Sequence, residues 1–327
     1  MTFRALIAEK TDGGYRTELR DLDDSALKGE VLVDVAYSSL NYKDGLAVTA
    51  RGKIIRKFPM VLGIDLAGTV VESSSPDYEP GERVVACGQS LGETEWGGYA
   101  QRQRVRAEVL VPLPDALTFE QAMALGTAGF TAMLCALALE QMAVKPSERE
   151  FVVTGATGGV GSIAVMLLAR RGYKVAASTG RPELEEYLRS LGAASIVPRD
   201  ELAKKSAPLE SERWGGGVDT VGGQTLATLF AQTAYGGAIA CCGMAGGGEL
   251  NAFVWPLILR NVSLLGVSSV QTPLAQRRIA WAALAEEVDR DKLASIARVE
   301  PLSRIQELAD DITSGRVRGR VIIDVNR

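Results

Sequence analysis

The chain has 327 residues, 46% of them hydrophobic and 23% charged, with 35 glycines, 12 prolines and a formal net charge of −4. That length suits two domains of ordinary size, and the composition is that of a globular α/β protein rather than a disordered one. An acidic chain has no general attraction for nucleic acid or an anionic membrane, so a phosphate-bearing ligand has to be held by a local cluster.

From Phe3 to about Val111 the chain reads as strands. "EVLVDVAYSSL" (30–40) alternates, "LAGTVVES" (66–73) and "GERVVACG" (81–88) are short apolar runs, and "YAQRQRVRAEVLVPL" (99–113) alternates again. Gly, Pro and Asp separate them, as in antiparallel sheet or barrel structure. Arg102, Arg104 and Arg106 share one face at period two and read as a solvated strand face. The opening "MTFRALIAEK" reaches charge after too short an apolar run for a signal peptide. Ala122–Leu139 carries no charge over 18 residues. Its small residues, and a capping box from Thr118 and Gln121, make it a buried core helix rather than a membrane span.

After "VPLPDALT" strands and helices alternate. "FVVTG" (151–155) leads through a glycine-rich turn into "SIAVMLLARRG", closed by Gly172; "YKVAAST" is the next strand; Pro182 opens "PELEEYLRSLG", closed by Gly192. "SIVP", "GVDTVGG", "GAIACCG" and "NVSLLGV" are further strands, with helical "QTLATLFAQTA" between two of them. This is the pattern of a doubly wound parallel sheet. A long helix with Thr272 as N-cap and Pro273 at its first position follows, and the tail gives one helix from Ser303 to Gly315 and one strand. The expected organisation is a β-rich domain over 1–122, a Rossmann domain over 123–295, and a return of the chain to the first domain over 296–327.

"TGATGGVGS" (154–162) lies between a predicted strand and a predicted helix. Glycines there let the backbone approach a pyrophosphate, and the helix start offers free N–H groups, with Thr157, Gly158, Gly159 and Val160 at the turn. At the end of the next strand, where an NAD site places an acid, the sequence is Ser178, Thr179, Gly180, Arg181. Hydroxyls and an arginine suit a 2′-phosphate, each charge-assisted hydrogen bond contributing roughly 1.5–3 kcal/mol, so NADPH is the expected cofactor. The alternative is that Arg181 is only a surface residue at a helix start.

Histidine is absent from the sequence. Every mechanism that needs a histidine base, relay or metal ligand is excluded with it, and Cys87, Cys135, Cys241 and Cys242 show no ligand spacing that would replace it, so no metal site is expected. The scattered cysteines point to a reducing compartment, hence to the cytoplasm. Arg51, Lys53, Arg56 and Lys57 form the densest basic cluster. They read either as a solvated loop or as a site for the phosphates of a coenzyme A ester.

Taken together, "SSLNYKDGLA", "GKIIRKFPMVLGIDLAGTV", "GTAGFTAML", "VTGATGGVGS", "DTVGG" and "ILRNVSLLGV" resemble the zinc-free quinone oxidoreductase branch of the medium-chain dehydrogenases/reductases, and more narrowly the bacterial acrylyl-CoA reductases. The resemblance runs over the whole chain. It implies a GroES-like catalytic domain beside the Rossmann domain. Asn41 stands where zinc-dependent members carry a Cys, and Ile64 where they carry a His. Asp65 follows as a residue that supports its neighbours rather than reacts, and Lys43 with Asp44 reads as an ion pair bracing a loop.

Without a Lewis acid an activated alkene is an easier substrate than a ketone. The expected reaction is reduction of a short α,β-unsaturated acyl-CoA, acrylyl-CoA to propionyl-CoA. An NADPH:quinone reductase is the alternative, and a nucleotide-binding scaffold or RNA-binding protein without turnover is the alternative of another class. Asn41 offers an amide donor. Tyr42, which the resemblance puts beside the nicotinamide, either donates a proton or packs on the cofactor. The resemblance also directs Arg277 or Arg278, together with Arg320 and Thr220, toward the cofactor. It further implies a homodimer through the edge strand 261–267.

Overall fold

The computed structural model describes all 327 residues. Chain contacts divide it into two compact units: 1–130 with 269–286 and 293–327, and 131–268 with 287–292.

In the first unit a seven-stranded sheet runs in the order 297–301, 320–324, 31–40, 65–73, 83–87, 111–112, with 102–105 also pairing 31–40. Its pairs are antiparallel apart from 297–301 with 320–324. The hairpin Thr2–Thr11 and Gly14–Asp23 forms a smaller sheet with Met60–Val61. Alternation puts Val31, Val33 and Val35 into a core shared with Leu66, Val70, Val84 and, from the tail, Leu308, Val321 and Ile323. The stripe of arginines is an ion-paired surface: Arg102 meets Asp24 and Asp34, Arg104 meets Glu72, and Arg106 meets Glu95.

The second unit holds six parallel strands in the order 193–198, 175–179, 150–153, 214–219, 233–241, 263–266. Numbered from the first of them, that is 3-2-1-4-5-6, the doubly wound order, and the direction of travel reverses between 150–153 and 214–219. Helix Gly159–Arg170 packs Ile163, Val165, Leu167 and Leu168 inward, and Gly172 leaves it at φ +82°.

Two boundaries differ from the sequence expectation. The capping box of Thr118 and Gln121 does open the apolar helix. That helix, Phe119–Gln141, is broken at Gly126 (φ 49°, ψ −153°), and the units part at 130/131 rather than at 122/123. It is long and apolar enough by length and composition to cross a membrane, yet 78% of its most apolar window is buried within the protein. Helix Leu274–Glu287 groups with the first unit over most of its length, and Arg277 on it donates to the carbonyl of Cys87 at 2.7 Å.

Candidate active site

In the second unit the turn after strand 150–153 has the shape a pyrophosphate needs. Gly155 sits at φ +59°, and a Cβ on it would lie 2.3 Å from Thr220 Oγ1. A Cβ on Gly161 would lie 2.3 Å from the Gly155 carbonyl, so only glycine lets the helix start this close to the strand end. Gly158 caps that helix, and Gly159 and Val160 begin it, leaving amides with no carbonyl one turn back.

Ser178 and Thr179 end strand 175–179 and are buried. Thr157 and Thr179 bring their hydroxyl oxygens to 3.5 Å, the Arg181 amide donates to Thr179 Oγ1 at 3.0 Å, and the Arg181 guanidinium donates to Thr157 Oγ1 at 2.6 and 3.1 Å. The glycine turn and the Ser178–Arg181 segment thus form one surface of hydroxyls and a cation, which fits a phosphorylated dinucleotide. Arg199 was missed from the sequence. It follows strand 193–198 directly, and a Cβ on Gly180 would lie 2.6 Å from its Cζ. Its position just past the carboxyl end of a parallel strand was the available signal.

In the first unit, the segment read as a loop is the helix Tyr42–Val48. Asp44, fully buried, accepts from the Asn41 amide at 2.9 Å, from Asn41 Nδ2 at 3.1 Å and from the Ile64 amide at 3.0 Å. Lys43 pairs instead with Glu93 at 2.8 Å, so the expected Lys43–Asp44 bridge is absent. Burial, and then the charge of Asp65, push the Asp44 carboxyl up to about 7.

Asp65 is the centre of this cluster. It accepts from Ser39 Oγ (2.5 Å), Asn41 Nδ2 (2.8 Å), the Thr127 amide (2.9 Å) and Thr127 Oγ1 (2.5 Å), with Arg320 Nη2 at 3.9 Å. The break at Gly126 turns the Thr127 amide toward this carboxylate, which becomes the anion at a helix start. Cys87 lies beside it, and burial together with Asp65 holds its thiol well above the usual range.

Three residues expected to meet substrate or cofactor are engaged within the chain. The Asn41 amide has both hydrogens directed at Asp44 and Asp65, so it is no donor for a substrate oxygen. Arg320, 3% exposed, directs its guanidinium at Leu40 O, Asn41 Oδ1, Ser39 Oγ and Ala124 O. Arg277, 1% exposed, bonds Cys87 O, Ser269 O, Val270 O and Thr272 O and lies over the Phe130 ring. Both guanidinium groups are buried and engaged with the protein backbone. Each fastens chain segments far apart in sequence, and burial lowers the pKa of both.

Tyr42 is different. It is 49% exposed, and its hydroxyl makes no hydrogen bond within the chain. In the basic loop, Arg51 is engaged with Asp310 (2.8 Å) and Thr313 (2.6 Å), whereas Lys53, Arg56 and Lys57 are exposed and enter no ion pair. No group of three or more His, Cys, Asp or Glu comes close enough together to hold a metal ion.

Two family profiles match the chain: the alcohol dehydrogenase GroES-like domain over residues 27–115 and the zinc-binding dehydrogenase domain over 159–288. The chain is 50% identical to acrylyl-CoA reductase AcuI of Ruegeria pomeroyi over 99% of both sequences. The chain belongs to the medium-chain dehydrogenase/reductase family. Among solved members of that family, the yhdH oxidoreductase of Salmonella enterica in complex with NADP is 49% identical, superposes with a TM-score of 0.96, and covers 98% of this chain and 99% of its own. Bacillus subtilis yhfP with NAD bound is 43% identical at the same TM-score, covering 99% of each. In this medium-chain dehydrogenase/reductase the backbone amides of Asn41 and Ile64 both donate to Asp44.

Proposed function

We propose that the chain is an NADPH-dependent reductase of the C=C bond of a short α,β-unsaturated acyl-CoA, converting acrylyl-CoA to propionyl-CoA. The observation that carries this is the 50% identity to an acrylyl-CoA reductase over essentially the full length of both chains. NADPH supplies the hydride that reaches the β-carbon, and the negative charge then spreads onto the thioester oxygen.

The residues of the chain do the rest. The turn amides at Gly159 and Val160 take the pyrophosphate, while Thr157, Ser178, Thr179, Gly180 and Arg181, with Arg199 beside them, take the adenosine ribose and its 2′-phosphate. The hydroxyl of Tyr42, free of intrachain partners, donates to the thioester oxygen or delivers the proton to the α-carbon. Lys53, Arg56 and Lys57 hold the coenzyme A phosphates. The free state of all four cysteines accords with a reducing cytoplasm.

Strand 263–266, within the segment 261–267, is the outer strand of its sheet, and the preceding helix Trp255–Arg260 exposes Trp255, Leu257, Ile258 (74%) and Leu259. An unpaired edge beside an exposed apolar helix supports a homodimer through this face.

Steady-state oxidation of NADPH and NADH with acrylyl-CoA, crotonyl-CoA and a benzoquinone, side by side, tests the reading. A dominant kcat/KM for acrylyl-CoA with NADPH is expected. Preference for the quinone would replace the acyl-CoA assignment, and tight NADPH binding with no turnover would turn the reading to a scaffold.

A further inference from the structure

The motif Asp219–Gly223 carries a group that the reaction as described does not use. Asp219 ends strand 214–219 with no exposed surface. Its Oδ1 accepts from Thr154 Oγ1 at 2.7 Å, and its Oδ2 accepts from the Gly222 amide at 2.7 Å, where helix Gly223–Gln232 starts. Thr154, also without exposed surface, directly follows strand 150–153. Its Oγ1 in turn accepts from the Thr220 amide at 3.0 Å, and Thr220 Oγ1 donates to the Thr154 carbonyl at 2.9 Å. The Cys242 amide, just past strand 233–241, donates to the Asp219 carbonyl at 2.9 Å.

These bonds lie beyond the last rungs of the sheet, at the two strands where the strand order reverses. In a doubly wound sheet this is where a dinucleotide lies, outside the carboxyl ends of the strands. The side chains therefore join two segments that have left the sheet: the glycine turn 155–159 and the turn 220–223. The fit is tight, since a Cβ on Gly243 would lie 2.2 Å from the Thr220 carbonyl.

We propose that Asp219 is a positioning residue for the dinucleotide: through Thr154 and Thr220 it fixes the spacing between the phosphate turn and the end of the fourth strand. It touches no reacting atom. One hydroxyl and the backbone amides of Val221 and Gly222 converge on one buried carboxylate, and a junction of this kind holds its geometry better than a glycine-rich loop does alone. Burial pushes the carboxyl up, and the hydrogen bonds from Thr154, Gly222 and Val221 pull it back. The inference rests on the NADPH reading.

The test is direct NADPH binding, followed by nucleotide fluorescence, to the full-length protein and to Asp219→Asn, Thr154→Val and the double variant. Each single change is expected to raise the Kd about tenfold, and the double change to about the same level rather than about a hundredfold, because both remove one junction. The kcat at saturating NADPH is expected to stay within about threefold, since no group at the reacting carbons has changed. Trp214→Phe, in the same strand, is expected to lower Tm and leave the Kd where it was. An Asn variant that binds NADPH within about twofold of the parent, or fully additive effects in the double variant, would overturn the proposal. If Asp219→Asn fails to fold, Thr154→Val decides alone: an unchanged Kd rejects the proposal. A parent protein that binds no NADPH would instead reject the cofactor reading beneath it.

Discussion

Replacing Arg181 by alanine separates two roles that the structure leaves in one side chain. The guanidinium braces Thr157 through three bonds, to Oγ1 and to the carbonyl, and it follows strand 175–179, where the proposed 2′-phosphate would lie. If it grips the phosphate, the variant loses one or two charge-assisted bonds of about 1.5–3 kcal/mol each, less what Arg199 recovers from beside Gly180. A net loss of about 2 kcal/mol is about 30-fold in kcat/KM for NADPH. NADH has no 2′-phosphate, so its kcat/KM should move less than about threefold. The assay is the ratio of the two specificity constants with acrylyl-CoA, for the parent, Arg181→Ala, Arg199→Ala and the double variant. A parallel fall for both nucleotides would refute the reasoning and reduce Arg181 to a brace for the turn.

Neutralising Lys53, Arg56 and Lys57 together should raise the KM for acrylyl-CoA about tenfold and leave a benzoquinone unaffected; equal effects on both substrates would remove the phosphate role. Arg51→Ala should behave differently, shifting stability by less than about 1 kcal/mol through its solvent-exposed pair with Asp310. Asp44, raised to about 7, keeps in the folded state a proton that the unfolded chain releases near pH 4; stability should therefore fall as pH rises from 4 to 7 and level off above, by about 4 kcal/mol at most, and urea midpoints of Asp44→Asn should lose that slope between pH 5 and 7 if the assignment is right. Ile258→Asp should convert a dimer to monomer by sedimentation at micromolar concentration, and a parent that is already monomeric there would dispose of the interface.

The parallel sheet was legible in the sequence because each of its parts is local. A β-branched run, a glycine turn and a closed helix repeat, and the strand order follows from that repetition. Helix Tyr42–Val48 was not read, since seven residues around Gly45 are too few to show a period; its only mark is Asn41 with Asp44 three residues on. The helix break at Gly126 was hidden for another reason. It exists for Asp65, which lies 62 residues from the amide it accepts at Thr127. Arg277 and Arg320 show the same limit: sequence gives a charge but not its burial, and Arg320 reaches a carbonyl 280 residues away. The phosphate turn was read correctly as a turn, whereas Arg199 reaches Gly180 from a different strand end and left no trace in that motif.

Asp65 and Asp219 solve the same problem in the two units. Each is a buried carboxylate that receives a threonine hydroxyl, from Thr127 or Thr154, and a backbone amide at a helix start, Thr127 or Gly222. A helix start is where an anion gains most from the backbone, and a hydroxyl satisfies a second lone pair without adding charge. In a chain with no histidine these junctions do the orienting that imidazoles often do. Asp44 sits beside a second carboxylate and shares Asn41 with it, and burial and that neighbour push its carboxyl up to about 7. That sharing ties the start of helix Tyr42–Val48 to the protonation of Asp44. Any change in the reaction between pH 6 and 8 that disappears in Asp44→Asn then belongs to the placement of Tyr42 rather than to the chemistry of its phenol.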